Sequence, residues 1–241
     1  MFGHSGDGST ARGRQTFWRV DDDGDDRGRR QRTTADDTED ALVPSRTAMR
    51  RDLFGGALTA DIPDDFLDVS DVIPIDDHQE VFSRASSDES IVIEVLDRVR
   101  DVDDASIGRC MFTDMCELNE AIESSLGYEG EDALERRLAG VSTSRIVFGT
   151  MRASKHRSAY DNDVDVWGCV MRIPRVESEI VIWHARPTRV GDPNARVDVR
   201  APSDIDRVRE GDHACSPALL RVIESFRICD WSLFGVDVVA P

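Results

Sequence analysis

Lysine is all but missing from this chain. Lys155 stands alone among 30 basic side chains, and the rest are arginine. A preference spread over the whole chain reflects a GC-rich coding sequence; local demand for bidentate recognition would not act everywhere at once. Positive charge is itself scarce, with 48 Asp and Glu against those 30, a net charge of −18. That balance argues against DNA or RNA as a partner, because phosphate contacts need Lys and Arg. It also argues against an anionic membrane surface. It suits a basic protein partner, approached quickly by electrostatic steering. The five cysteines, Cys110, Cys116, Cys169, Cys215 and Cys229, are odd in number, include no CxxC and fit no zinc spacing. They read as free thiols in a reducing compartment. No apolar run has the length of a membrane span, and no apolar stretch near the N-terminus reads as a signal peptide. Early acids at Asp21, Asp22, Asp23, Asp25 and Asp26 disfavour a transit peptide. The expected location is the cytosol or the nucleus.

Catalytic patterns are missing too. The five histidines, His4, His78, His156, His184 and His213, include no pair at metal-ligand spacing. His184, beside Trp183, reads as a sheet-surface or satisfied core histidine. Cys110 and Cys116 lie among acids, the wrong setting for a thiolate nucleophile. There is no GxSxG, and Gly55-Gly56 is too short for a phosphate loop and lacks the following lysine. With 48 acids, adjacent carboxylates arise by chance and carry no message. Asp21, Asp23 and Asp25 start like a calcium loop, but Asp26 stands where Gly is required and Arg32 where Glu is required. The expectation is a protein that is not an enzyme and needs no cofactor or metal.

The pattern divides the chain. Residues 1–46 are rich in Gly, Asp and Arg, with runs such as DDDGDDRGRRQR, and are expected to be disordered. Residues 47–241 form the folded domain. Strands are expected at Leu53–Ile62, Gln79–Ala85 and Ser90–Leu96, with a helical turn at most over Asp68–Val72. In the third strand Ile91, Ile93 and Val95 face one way and Val92, Glu94 and Leu96 the other. A helix is expected over Asp103–Ile122, with a stripe of Ile107, Met111, Met115, Leu118 and Ile122. Gly127–Gly140 reads as a polar link with a short helix around Leu134–Leu138. Strands follow at Arg145–Arg152, Asp163–Ile173 and Glu177–Ala185, the last two joined by Pro174-Arg175-Val176. Pro187–Gly211 reads as a loop. A second helix is expected over Ser216–Ile228, capped by Ser216 and burying Leu219, Leu220, Val222, Ile223 and Phe226. About six strands and two helices in this order make an α+β sandwich, an antiparallel sheet covered by helices.

The segment from Leu53 to Asp97 adds a resemblance. LFGGA at Leu53–Ala57, Asp68 and Ser70 of FLDVSD, Asp77-x-Gln79-Glu80-Val81-Phe82 and the Ser90–Asp97 strand resemble the Ran guanine-nucleotide release factors, the Mog-type proteins of nuclear import. DVWGCVMRIPRVESEIVIWHARP at Asp165–Pro187 and WSLFG at Trp231–Gly235 resemble later parts of that family. The chain departs from the family at Ile73 and Asp76, where Arg and a second Pro are usual. The resemblance implies a PsbP-like sandwich beginning near Leu53, so Met49 is a candidate initiator.

It also implies a function: binding the small GTPase Ran, promoting release of its nucleotide, and supporting transport between nucleus and cytoplasm. Partner-binding residues carried over by the resemblance are Glu94 and Asp97, with Asp68, Asp77 and Glu80 beside them. For each the alternative is a solvated carboxylate; for Asp68 and Glu80 an internal hydrogen bond is the stronger alternative. Glu94 and Asp97 are expected to be solvent-exposed, and they share a face only if the chain turns helical after Val95. The alternative function is an interaction module of the same fold in another assembly, without release activity. A monomer is expected, with no nucleic acid or membrane partner.

Overall fold

The computed structural model describes residues 47–70, 72–131, 138–154, 160–195, 199, 201–204 and 215–235. The expected disorder of residues 1–46 and the expected helix around Leu134–Leu138 therefore fall largely outside the described residues.

The double glycine makes a reversal. Strand β1 (Ala48–Leu53) runs into a turn and returns as β2 (Leu58–Pro63), with Leu53 opposite Leu58 and Ala48 opposite Pro63. Three consecutive residues have positive φ: Phe54 at 50°, Gly55 at 66° and Gly56 at 92°. Glycine adopts this region at little cost. The single strand expected over Leu53–Ile62 is therefore a hairpin, and Met49 lies within its first strand, opposite Ile62.

The main sheet has seven antiparallel strands. They are β3 (Leu67–Asp68), β4 (Gln79–Arg84), β5 (Glu89–Asp97), β6 (Glu123–Glu131), β7 (Thr143–Ser154), β8 (Asp161–Ile173) and β9 (Ser178–Arg189). Their spatial order is β3-β4-β5-β9-β8-β7-β6. A smaller sheet, β1-β2-β10, is completed by β10 (Arg227–Ile228). Two helices stand among the described residues, α1 (Ile107–Leu118) and α2 (Pro217–Ser225). This is the expected α+β sandwich with more strands than six. The first part of the expected polar link, Gly127–Glu131, is instead part of β6, the last strand in the order of the main sheet, with a register shift between Leu126 and Tyr128. Its sequence ESSLGYEGE has no apolar alternation, because among the described strands it pairs only with β7 and most of its residues stay partly wet. The expected loop from Pro187 begins three residues later, since Pro187, Thr188 and Arg189 still belong to β9.

Period-two alternation feeds two cores on opposite faces of the main sheet. Ile91, Ile93, Phe148, Trp167, Cys169 and Ile182 face the small sheet and α2. Val92, Leu96, Val147, Val166, Val181 and Trp183 face α1. The two faces expected of Ser90–Leu96 are thus both buried. Gly168 lets the sheet accept Trp183, because a Cβ there would lie 2.2 Å from the indole ring.

Helix α1 is shorter than expected. It buries Ile107, Met111, Phe112, Met115 and Cys116 and stops at Leu118. Glu120 at φ 52° breaks the helix, and Ile122, 62% exposed, leads into β6. Asp103 accepts from the Ser106 amide at 2.8 Å just ahead of it. Buried Arg172 fixes the approach to α1: it donates to Glu179, Asp104 and the carbonyls of Val99 and Val102 at 2.6–2.9 Å. In α2, Ser216 caps Leu219 and Pro217 takes the first turn, as expected. Leu220 points outward, and buried Phe226 sits just past the helix end.

Every β1–β2 pair lies within residues 48–63. Removing residues 1–46 should therefore leave the melting temperature within a few degrees of the full chain. Calorimetry checks this, and amides of residues 10–40 protected in hydrogen exchange would contradict it.

Candidate functional site

The stretches singled out in the sequence lie far apart in the chain and meet at one edge of the fold. The Phe54 amide, in the left-handed turn of LFGGA, donates to Glu80 Oε1 of QEVF at 2.5 Å. The Ala57 carbonyl of the same turn accepts from the Cys229 and Asp230 amides, at 2.8 and 3.0 Å, just before WSLFG. Asp230 then caps the turn at Ser232. A left-handed phenylalanine is an uncommon conformation, and a carboxylate on its N–H helps to hold it.

Asp68 lies opposite Phe82 in the β3–β4 pair. Glu80 is two residues from Phe82 along the same face, so the two carboxylates are diagonal neighbours. Burial raises the Glu80 pKa; the Phe54 hydrogen bond opposes this and the Asp68 charge adds to it. Asp68 is exposed and accepts from the Ser70 amide at 2.8 Å. Asp77 is exposed in the turn before β4, where the Gln79 amide closes onto the Asp76 carbonyl. Asp97 is exposed at the end of β5, opposite Ser178. The Val95 amide bonds the His78 carbonyl, which carries the pairing on towards Asp77 and Asp97 at one end of the sheet. On β3 and in the turn after it, Leu67 and Val72 stand out, 58% and 80% exposed. Exposed apolar side chains on an edge that also carries acids are a composition found at interfaces. The sequence carried a signal for them: FLDVSDVIP holds more apolar residues than one turn can bury.

Glu94 is the correction. It is buried at 8% exposure, on the α1 face with Val92 and Leu96, while Glu80 faces the other way. Strand parity puts it there, since the β conformation runs unbroken to Asp97. It accepts from Gln79 Nε2 at 2.6 Å and Trp183 Nε1 at 3.2 Å. The expectation of a solvent-exposed carboxylate at this position is overturned. Gln79 and Trp183 as its partners were not legible, because they come from strands on both sides of β5.

A second polar cluster lies in the other core. His184 Nδ1 is 2.8 Å from Ser216 Oγ, and its Nε2 is 3.1 Å from Glu89 Oε2. Ionised Glu89 only accepts, so Nε2 donates to it and Nδ1 accepts from the Ser216 hydroxyl. Ser216 Oγ also accepts from the Leu219 amide. Arg84 and Ser87 complete the Glu89 carboxylate at 2.8 and 2.9 Å. His184 stacks on Trp167 with ring centres 5.3 Å apart. The order Ser–His–Glu resembles a hydrolase triad, but the Ser216 oxygen is engaged on both sides and only 5% exposed. It ties α2 to β9, β5 and β4. His184 is thus the satisfied core histidine of the two readings. Burial acts to raise the Glu89 carboxyl, yet the His184 hydrogen bond and charge, with Arg84, hold it down to about 2. Burial lowers the His184 pKa, opposed by Glu89. Among the described residues no cluster of three or more His, Cys, Asp or Glu is placed to hold a metal ion.

Comparison with known proteins gives a consistent picture. A family model described as Ran-interacting Mog1 protein matches residues 51–187. The Ran guanine nucleotide release factor of Danio rerio is 29% identical over 195 residues, covering 78% of this chain and 100% of its own. The nuclear import protein mog1 of Schizosaccharomyces pombe is 28% identical over 194 residues, covering 76% and 98%. The crystal structure of the Ran-binding protein Mog1p of Saccharomyces cerevisiae has a similar fold, with a TM-score of 0.55 at 20% identity over 78% of this chain and 98% of that one.

Two outcomes test this geometry. Glu94→Ala strands the Gln79 amide and the Trp183 N–H, which should cost about 1–3 kcal/mol. Glu94→Gln keeps an acceptor and should cost less, and Asp97→Ala, at an exposed position, should change stability by under about 0.5 kcal/mol. Urea unfolding gives the three values. For acid behaviour, His184 has a folded pKa below its ordinary 6.5. Its contribution is therefore present above about pH 6.5 and lost as pH falls through the lowered folded pKa. The Glu89 contribution is present above 4.5 and lost towards pH 2. Melting temperatures of wild type and His184→Gln, measured from pH 7 to 5, should converge as the pH falls; parallel curves would contradict the assignment.

Proposed function

The chain belongs to the Ran-interacting Mog1 family, and from that premise we propose that it binds the small GTPase Ran and promotes release of the bound nucleotide. The observation that carries the proposal is the acidic edge: Asp68, Asp77, Glu80 and Asp97, with exposed Leu67 and Val72 on its edge strand and turn, braced by the Phe54–Glu80 hydrogen bond. Relatives named Ran guanine nucleotide release factor and nuclear import protein mog1 support it.

The mechanism needs no catalytic residue and no cofactor; it is linkage, and on this reading the protein is not an enzyme. A protein that binds nucleotide-free Ran better than nucleotide-bound Ran must weaken nucleotide binding by the same factor. The exposed acids meet basic groups of the GTPase at the rim, while Leu67 and Val72 supply the dry centre. Glu80 is suited to a change of state, since its carboxylate is already half buried beside Asp68. Glu94 acts from beneath, by holding Gln79 at the head of the QEVF strand. This function places the protein in nucleus and cytoplasm, acting as a monomer. No described helix is long and apolar enough to cross a membrane.

The test pairs binding with release. Wild type and variants are mixed with Ran loaded with GTP, loaded with GDP, or nucleotide-free, and loss of a fluorescent nucleotide is followed. Glu80→Gln keeps the acceptor for the Phe54 amide, so it should fold like wild type. Combined with Asp68→Asn it should weaken binding about tenfold, equivalent to about 1.4 kcal/mol. Release should slow in parallel. The association rate should fall as salt rises. Wild-type binding without accelerated release would favour the interaction module; no binding in any nucleotide state would overturn the proposal.

A further inference from the structure

Strand β3 is too short to hold itself in place. It makes two ladder pairs with β4, Leu67 opposite Ser83 and Asp68 opposite Phe82, and the Val69 amide adds one bond to the Val81 carbonyl at 3.1 Å. Both of its side chains are exposed, so apolar burial does not fix it either. The segment just ahead of it is anchored instead. Phe66 is fully buried, and its amide donates to the Pro63 carbonyl at 2.9 Å. Arg84, one position beyond the last ladder pair on β4, places its guanidinium carbon 4.3 Å from the centre of the Phe66 ring. From there Nη2 donates to Asp65 Oδ1 at 3.1 Å, and Nε lies 2.8 Å from Asp65 Oδ2. On the other side Nη1 donates to Glu89 Oε2 at 2.8 Å, the oxygen that also accepts from His184. Glu89 is thus a fixed seat for the guanidinium, and the Arg84 side chain is only 14% exposed.

We propose that Arg84 is a positioning residue of the GTPase-binding edge, clasping Asp65 and Phe66 so that Leu67 and Asp68 are presented in one fixed place; this rests on the Ran binding proposed above. A planar guanidinium can donate to two carboxylates and stack on a ring at once, which a single ammonium cannot do. The Arg84–Asp65 pair is partly exposed and adds little to global stability. Its effect is local, since it removes freedom from the two residues that precede the edge strand. An edge ordered before the partner arrives loses less freedom on binding, and the difference appears as affinity. The same face of β4 carries Glu80, held by the Phe54 amide. Glu80 and Arg84 therefore fix the two ends of the strand on which β3 is laid.

The test uses the full chain. Asp65→Ala leaves Arg84 on Glu89 and removes an exposed carboxylate, so its melting temperature should stay close to that of wild type. Amide exchange at Val69, whose bond to Val81 closes the edge strand, should speed up, and nucleotide-free Ran should bind on the order of fivefold more weakly. Arg84→Lys should behave like Asp65→Ala, because one ammonium cannot serve both carboxylates and the ring. The deciding comparison repeats Asp65→Ala in a chain that already carries Leu67→Ala and Asp68→Asn. Acting through those two residues, the clasp should cost no further binding there, whereas a general structural role would weaken binding equally in both backgrounds. Unchanged Val69 exchange in Asp65→Ala, or the same loss of binding in both backgrounds, would overturn the proposal. A wild-type chain that binds no form of Ran would overturn the Ran reading alone, and Val69 exchange would still decide whether Arg84 positions the edge.

Discussion

Strands β5, β9 and β8 are covered on both faces, and that constraint governs the rest of the molecule. A polar side chain on such a strand has no water to turn to, so it must be satisfied by the protein or not occur. Glu94, Glu179, His184 and Asp165 all lie on these strands and are all buried. Each meets a partner from a neighbouring strand or an overlying segment: Trp183 and Gln79 for Glu94, Arg172 for Glu179, Ser216 and Glu89 for His184. Asp165 receives Arg186, Ser203 and the Asp204 amide. The covering layers are thereby positioned by directional bonds as well as by apolar packing. Arg172 sets the entry to α1, His184 sets the start of α2, and Asp165 holds the segment that returns across β8 and β9.

Those bonds also explain what was legible in the sequence. Alternation in ESIVIEVLD named both faces of β5 correctly, because period two is a local property. The cap at Ser216 and the first three members of the α1 stripe, Ile107, Met111 and Met115, were legible for the same reason; Ile122 was not part of it, because the helix stops at Leu118. Burial of Glu94 was not, since an acid in an alternating strand reads as its wet side unless a second layer is known to cover it. Strand β6 was missed because an edge strand has little apolar content to display. The LFGGA hairpin was missed because its reversal depends on three successive positive φ values, one of them at a phenylalanine held by a glutamate 26 residues away. Of the candidate site, Asp68, Asp77, Glu80 and Asp97 lie on or near the acidic edge; the apolar pair Leu67 and Val72 was signalled only by the apolar excess of FLDVSDVIP, and which of its residues stay exposed depends on the layers.

The acidic edge is built on a short edge strand and a turn, so its place depends on what ties it back. Glu80 reaches the Phe54 amide near one end of β4, and Arg84 reaches Asp65 at the other. The second tie depends on Glu89 and His184 within the main sheet, and the first on the small sheet, whose hairpin turn supplies the Phe54 amide.

That small sheet joins the earliest described strands to one of the last. Strand β2 is flanked by β1 on one side and by Arg227–Ile228 on the other, and the Ala57 carbonyl waits for the amides of Cys229 and Asp230. During synthesis the hairpin would emerge more than 150 residues before the segment that closes its far edge. At about 5–20 residues per second that edge stays open for roughly 10–30 s. Over that interval the apolar face of β2, with Leu58, Ala60 and Ile62, has neither β10 nor α2 to cover it. A nascent chain of this design should therefore engage holding chaperones until its final segment is released from the ribosome.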